Sequence, residues 1–441
     1  MTVGNPTKHL LVFALPLFLG NIFQQLYNMV DSMVLGKFVG AQALAATGTC
    51  SSLNFLFFAL SSGLAIGIGV IVSQYFGAGN EVKVKATIAN AFYVLAFSSI
   101  TASVIGILIA RPILMLLSTP AEIIDLSIVY LRTTCCGIFF IAIYNGVAAI
   151  LRALGDSKTP LYFLMISSAM NIVFDLTFVL KFHMGVFGVG LATVIAQAIS
   201  ASISMIYAFS KVSYFRVSRE QLKPHKDIIF QAFRLGIPMA LQSSMIATSM
   251  IVLQRVVNGF GPIVMAAYTV SAKVDLIISQ LYQAMANALT TFSGQNLGAN
   301  KIDRIKQGYR RGVIIVTIYN CILIPIVFMM SKGIVSIFVT DAEVISIGQN
   351  ALRITSILYF ALGLIYVPRG ILNGCGDAMF SMINGITEVA CRIIYSYLLT
   401  SIASIGMYGV WWAAGLTWAT AALVCNCRYF AGKWKTMAMS K

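Results

Sequence analysis

Apolar residues fill this chain in long unbroken runs, each closed by charged residues or by a Gly/Pro cluster, with no two-residue alternation that would predict strands. A bilayer core ~30 Å thick is crossed by ~20 helical residues. Runs of that length predict membrane-crossing helices near 10–35, 48–74, 87–110, 126–151, 160–180 and 188–210, and again near 235–257, 264–293, 312–330, 347–368, 379–400 and 409–430. The first run continues from Leu10 to about Leu35 without an Ala-x-Ala site after it. It reads as a retained helix rather than the core of a cleaved signal peptide.

Composition agrees with the runs. Of 441 residues, 59% are hydrophobic and 10% charged, against roughly 45–50% and about 25% in soluble domains, and the mean hydropathy is +0.87. Disorder, collagen, a disulfide scaffold and a cytosolic enzyme are excluded together. So many spans leave no room for a sizeable domain outside the membrane, and any function must lie within the membrane body. The net charge of +16 would suggest nucleic acid in a soluble protein. Here it is read through the positive-inside rule. With both termini cytoplasmic, 21 of the 30 basic residues, among them Arg369, Arg428 and Lys441, fall on the inner side. The densest group is a basic linker at 211–234, between an N-terminal lobe at 1–210 and a C-terminal lobe at 235–441. Eight cysteines and three histidines show no metal-ligand spacing.

The two lobes repeat each other at an offset of about 221 residues. Gln74, Gly77 and Ala78 answer Gln295, Gly298 and Ala299, while Gly155-Asp156 answers Gly376-Asp377 and Arg132 answers Arg353. Leu15-Pro16 faces Ile237-Pro238 at an offset of 222. Each copy holds an even number of spans, so the repeats are parallel. The predicted fold is therefore an all-α integral membrane protein with twelve transmembrane helices in two parallel-repeat six-helix lobes. Such halves suggest alternating access around a cavity; no filter loop, ring of charge or catalytic constellation points to a channel or an enzyme. Gly63, Gly67 and Gly69 predict close helix packing.

Ionisable residues inside a span cost a few kcal/mol each and need a partner or a task. In the first lobe these are Asp31 and Asp175, with Asn171 one turn from Asp175 and Thr193 at a similar depth. No base lies in mid-span nearby. Two carboxyls among amide and hydroxyl oxygens suit reversible neutralisation by a proton or by sodium; seats in wet interfacial crevices, or as caps of polar helix ends, are the other reading. The second lobe carries Arg255, Lys273, Asp275, Glu388 and Arg392. The four-residue spacing of Glu388 and Arg392 predicts an ion pair between them, whereas Lys273 and Asp275 must find partners elsewhere. A structural network is the leading reading there and substrate contact the other. Arg392 stands at the repeat position of Asn171, and Ser396 at that of Asp175.

Leu15-Pro16, Asn28 to Asp31, Val39-Gly40 with Ala45 to Gly48, Gln74 to Asn80, Leu151 to Asp156 and the Asn171-x-x-x-Asp175 pattern resemble the multidrug and toxic compound extrusion (MATE) transporters over essentially the whole chain. The resemblance implies export of bulky, often cationic organic compounds coupled to entry of protons or sodium, a multi-pass place in the plasma (prokaryotic inner) membrane, and no cofactor beyond the coupling ion. It casts Asp31 and Asp175 as ion-coupling acids beside Asn171 and Thr193, with sodium possible at Asp31, Asp175 and Asn171. It also implies a cavity lined by Tyr27, Tyr130 and Asn145, and a bend of the first helix at Pro16. Many members carry an acid on helix 7 or 10; here helix 7 offers Gln242 and helix 10 no carboxylate within its span. The expected partners are small organic molecules and membrane lipid, with no nucleic acid, and the expected state is a monomer. Two other functions stay open: flipping of a lipid-linked oligosaccharide, which would use Arg255, Lys273 and Arg392, and a non-transporting receptor or scaffold.

Overall fold

The computed structural model describes residues 1–117 and 119–438; Lys441 of the basic count lies outside them. Among the described residues there are only helices and turns. The helices are α1 (Pro6–Val34), α2 (Ala41–Gly77), α3 (Glu81–Leu116), α4 (Ala121–Cys136), α5 (Ile138–Leu154), α6 (Lys158–Leu176), α7 (Gly185–Lys211), α8 (Lys226–Asn258), α9 (Pro262–Gly298), α10 (Ile302–Ser336), α11 (Ala342–Gly374), α12 (Ala378–Thr400) and α13 (Gly409–Ala431).

By length and composition ten helices suffice to cross a membrane, and eleven spans result when α4 and α5, bent by 42° at a short break, are taken as one. That pair corresponds to the single run at 126–151. The break falls at Gly137, where a Cβ would stand 2.7 Å from the Gln197 Oε1 on α7, so α7 passes close to the bend. The remaining helix, α12, carries Asn384, Glu388 and Arg392 in its middle, which lowers its hydropathy. Its 23 residues still span ~34 Å, enough to cross.

The helix ends follow from their sequences. Asn80 caps α3 by accepting the Lys83 amide at 3.0 Å, and Asp341 caps α11 by accepting the amides of Glu343 and Val344. Gly155 and Gly376, the repeated turn glycines, have φ of +105° and +88°, a region that glycine enters without strain. Asp156 then receives the Lys158 and Thr159 amides at 3.0 Å each.

Two compact units emerge among the described residues, one formed by 15–240 and the other by 1–14 with 241–438. Their limits differ from lobe limits drawn along the chain: α1 divides two residues before Pro16, and α8 divides two residues after Pro238. The basic segment at 211–234 is also less of a linker than its charge suggests. A short 3-10 turn at Ser213–Phe215 and the first turns of α8 occupy much of it, and the His225 amide donates to Asn90 at 2.8 Å. Within the first unit α2 and α8 meet backbone to backbone. A Cβ on Gly63 would lie 2.5 Å from the Ala240 nitrogen, and one on Gly67 2.8 Å from that of Gly236. The spacing of these glycines thus serves helix packing.

Candidate functional site

Asp31 and Asp175 come together from α1 and α6. Gly20 brings these helices close, since a Cβ there would already touch Leu161 and Leu164 at 3.4 Å. Asp175 is fully buried and its carboxyl faces that of Asp31 within hydrogen-bonding reach. No donor reaches either oxygen of Asp175 or the Oδ1 of Asp31, and neither amide atom of the buried Asn171 has a partner. Two ionised carboxylates are both acceptors, so such a pair is satisfied only when a proton or another cation joins them.

Tyr27 and Tyr130 lie within electrostatic reach of both acids, which puts the aromatic and acidic candidates of the first lobe in one cluster. Asn145, on α5, has an unpartnered Nδ2, and its neighbour Tyr144 donates to the Pro160 carbonyl at 3.1 Å. Thr193 turns its hydroxyl proton to its own helix, donating to the Val189 carbonyl at 3.0 Å. Each acid also stands just ahead of a π-helical turn, Leu35–Val39 after Asp31 and Thr177–Lys181 after Asp175. Val34, Leu35 and Val179 pack together with Val186 and Val189 on α7. Pi turns widen the helix and gather at functional sites.

The second unit corrects one expectation. Glu388 does not pair with Arg392; it accepts from Arg369 on α11, which also donates to Asn384. Spacing puts Glu388 and Arg392 on one face of α12, but the guanidinium arriving from α11 takes the carboxylate. Arg369, counted above among inner loop bases, is therefore an interior residue, only 7% exposed, with its guanidinium 5.6 Å from the Tyr366 ring. Asp275 finds its partner in Tyr359, whose hydroxyl donates to it at 2.5 Å. Arg392 is buried and its Nε has no partner. Arg255 and Lys273 are exposed. Gln242 is buried, with an unpartnered Nε2, where α8 crosses Gly385 of α12.

The profile of one family, MatE, matches this chain twice, at residues 16–177 and 238–398. The chain belongs to the MatE family. The two matches start 222 residues apart, as Pro16 and Pro238 do, so the repeat seen in the sequence is a repeat of this domain. Among relatives, the "Probable multidrug resistance protein YpnP" of Bacillus subtilis is 29% identical over 442 residues, covering 99% of this chain and 98% of that protein. The "Probable multidrug resistance protein YoeA" of the same organism is 27% identical over 438 residues, covering 98% and 94%. In fold, the chain matches an outward-facing multidrug resistance MATE family transporter of the MOP superfamily with a TM-score of 0.91, at 21% identity and over 97% of each chain.

Between the two MatE repeats the helices are kept, while some interior polar groups change. Asp275 and Thr355 of the second repeat occupy the positions of Asn54 and Thr134 in the first, where Thr134 donates to Asn54 at 2.9 Å. Arg369 takes the place of the buried Ala148. Sequence reasoning missed Arg369 because it falls at the inner end of an apolar run, where a base ordinarily faces the cytoplasm. The available signal was its repeat partner: an alanine inside a span faces no loop.

Proposed function

We propose that this chain is a secondary active antiporter of the plasma membrane, exporting bulky organic compounds by alternating access in exchange for protons or sodium. The reading rests on one observation, the facing carboxyls of Asp31 and Asp175 beside Asn171 with no donor between them. A bound proton or sodium ion neutralises the pair, and its release restores two like charges that repel. The site is thus a two-state element whose equilibrium a cation gradient biases. Names of the relatives, both probable multidrug resistance proteins, support drug-like compounds as cargo.

Both termini are proposed to be cytoplasmic, by the distribution of bases, and the working unit to be the monomer with lipid around it. A flippase of lipid-linked oligosaccharide, which would use Arg255, Lys273 and Arg392 on its phosphates, is the second reading; Arg255 and Lys273 are exposed and Arg392 is buried. The test is efflux of ethidium from proteoliposomes under separately imposed proton and sodium gradients. One gradient should drive efflux, and Asp31→Asn and Asp175→Asn, folded and inserted, should each abolish it, because an amide is a permanently neutral copy of the carboxyl. Full efflux in both variants would refute the coupling role.

A further inference from the structure

Arg392 is a buried cation of the second unit without a partner among the described residues. Its guanidinium carries five N–H donors, the residue is 3% exposed, its Nε is enclosed without an acceptor, and it makes no hydrogen bond or ion pair among the described residues. The acids that could answer it are engaged. Glu388, one turn away on the same helix, is taken by Arg369, and Asp275, within electrostatic reach, is held by the Tyr359 hydroxyl. Leaving a buried donor of a charged group unbonded costs free energy. Natural chains keep such a group where something else binds it.

The repeat sharpens this. Arg392 stands where the first repeat has Asn171, itself buried with both amide atoms unpartnered. Two equivalent helix positions, one per repeat, each present unsatisfied polar atoms to the interior of their own unit, but with different polarity: an amide beside two acids in one, a guanidinium in the other. Tyr268 of α9 and Tyr366 of α11 lie within electrostatic reach of Arg392 and offer flat walls.

We propose that Arg392 anchors the anionic group of an amphipathic ligand, a carboxylate or phosphate on a flat apolar body, with Tyr268 and Tyr366 beside it. The guanidinium fork matches two oxygens of such a group at once. This deepens the transport reading by giving the second unit a ligand class, and its test applies no gradient, so failure of ion coupling leaves it untouched.

Fluorescein and the ethyl ester of rhodamine share one ring system with opposite charge. Their binding is measured by fluorescence anisotropy with the full chain in phosphatidylcholine nanodiscs. Wild type should bind fluorescein, and Arg392→Gln should weaken that binding by about tenfold, the worth of one charge-assisted hydrogen bond, while rhodamine ester binding holds. Asp275→Asn removes an opposing acid within electrostatic reach and should tighten fluorescein, a readout that stands even if Arg392→Gln misfolds. Phosphatidic acid added to the nanodiscs displaces fluorescein if a lipid phosphate is the occupant and leaves it bound if a soluble organic acid is. No binding of fluorescein to wild type, or unchanged affinity in both variants, overturns the proposal.

Discussion

Glu388→Ala leaves the Arg369 guanidinium, whose side chain is 9% exposed, with Asn384 and the Tyr366 ring as its remaining company. Removing one partner of a buried ion pair costs about 3–5 kcal/mol. The retained charged hydrogen bond is worth about 1.5–3 kcal/mol on its own, so the loss should lie near the lower end, about 3 kcal/mol. With an unfolding entropy of roughly 2 cal/mol/K per residue, cooperative unfolding of the whole chain turns this into a midpoint drop on the order of 3 °C. Arg369→Met should cost as much, and the Arg369→Met/Glu388→Leu double variant should recover most of either loss, because an apolar pair of similar volume carries no stranded charge. Arg392→Met is the contrast. It removes a buried cation without hydrogen bonds, so the midpoint should hold or rise. Tryptophan fluorescence during heating of purified protein in detergent reads all four. A drop for Arg392→Met with Glu388→Ala unchanged would refute the pairing and restore the one that helix spacing predicts.

Two further outcomes follow from the packing. Gly63→Leu should prevent stable folding, since even its Cβ would stand 2.5 Å from the Ala240 nitrogen, whereas Gly48→Ala, with nothing within 4 Å, should leave the monodisperse size-exclusion peak unchanged. Pro16→Ala restores a donor for the Val12 carbonyl and removes the ring that crowds it; it should stabilise α1 and reduce ethidium efflux, and spin-label distances between α1 and α6 that respond to neither pH nor sodium in the wild type would count against bending at Pro16.

What the sequence disclosed and what it withheld divide along a physical line. Apolar runs locate helices because burial in lipid is a property of each segment alone, and the repeated Gln, Gly-Asp and Pro positions disclosed the duplication because turns constrain their own residues. Asp31, Asn171 and Asp175 stood out for the same reason, as polar groups whose cost in a span is local. Partner choice is not local. Glu388 has Arg392 on its own face but bonds to Arg369, since which base reaches a carboxylate depends on how α11 and α12 pack. The approach of α7 to the bend at Gly137 is set by packing in the same way. The π-helical turns beyond Asp31 and Asp175 left no trace in residue type, because Leu35–Val39 and Thr177–Lys181 read as ordinary helical sequence.

Duplication gives each lobe the same helical frame, and the frame fixes where an interior polar group can stand but not its charge. On the fifth span of each repeat, α6 in the first and α12 in the second, the chain holds Asn171 with Asp175 in one copy and Arg392 with Ser396 in the other. A carboxyl in low dielectric can shed its cost by taking up a cation and recover it on release; an arginine keeps its proton and can lower its cost only by meeting an anion. The first copy is therefore suited to cycle with an ion gradient, and the second to stay charged and select what enters. If that division holds, exchanging the pairs should not exchange the tasks. Arg392→Asn with Ser396→Asp would place a carboxyl in the second repeat without the facing acid that α1 supplies in the first, and it should bind no coupling ion, as measured by proton release on substrate addition. Ion-coupled efflux from such a variant with Asp31→Asn also in place would show that one acid suffices and that the pair is not the coupling element.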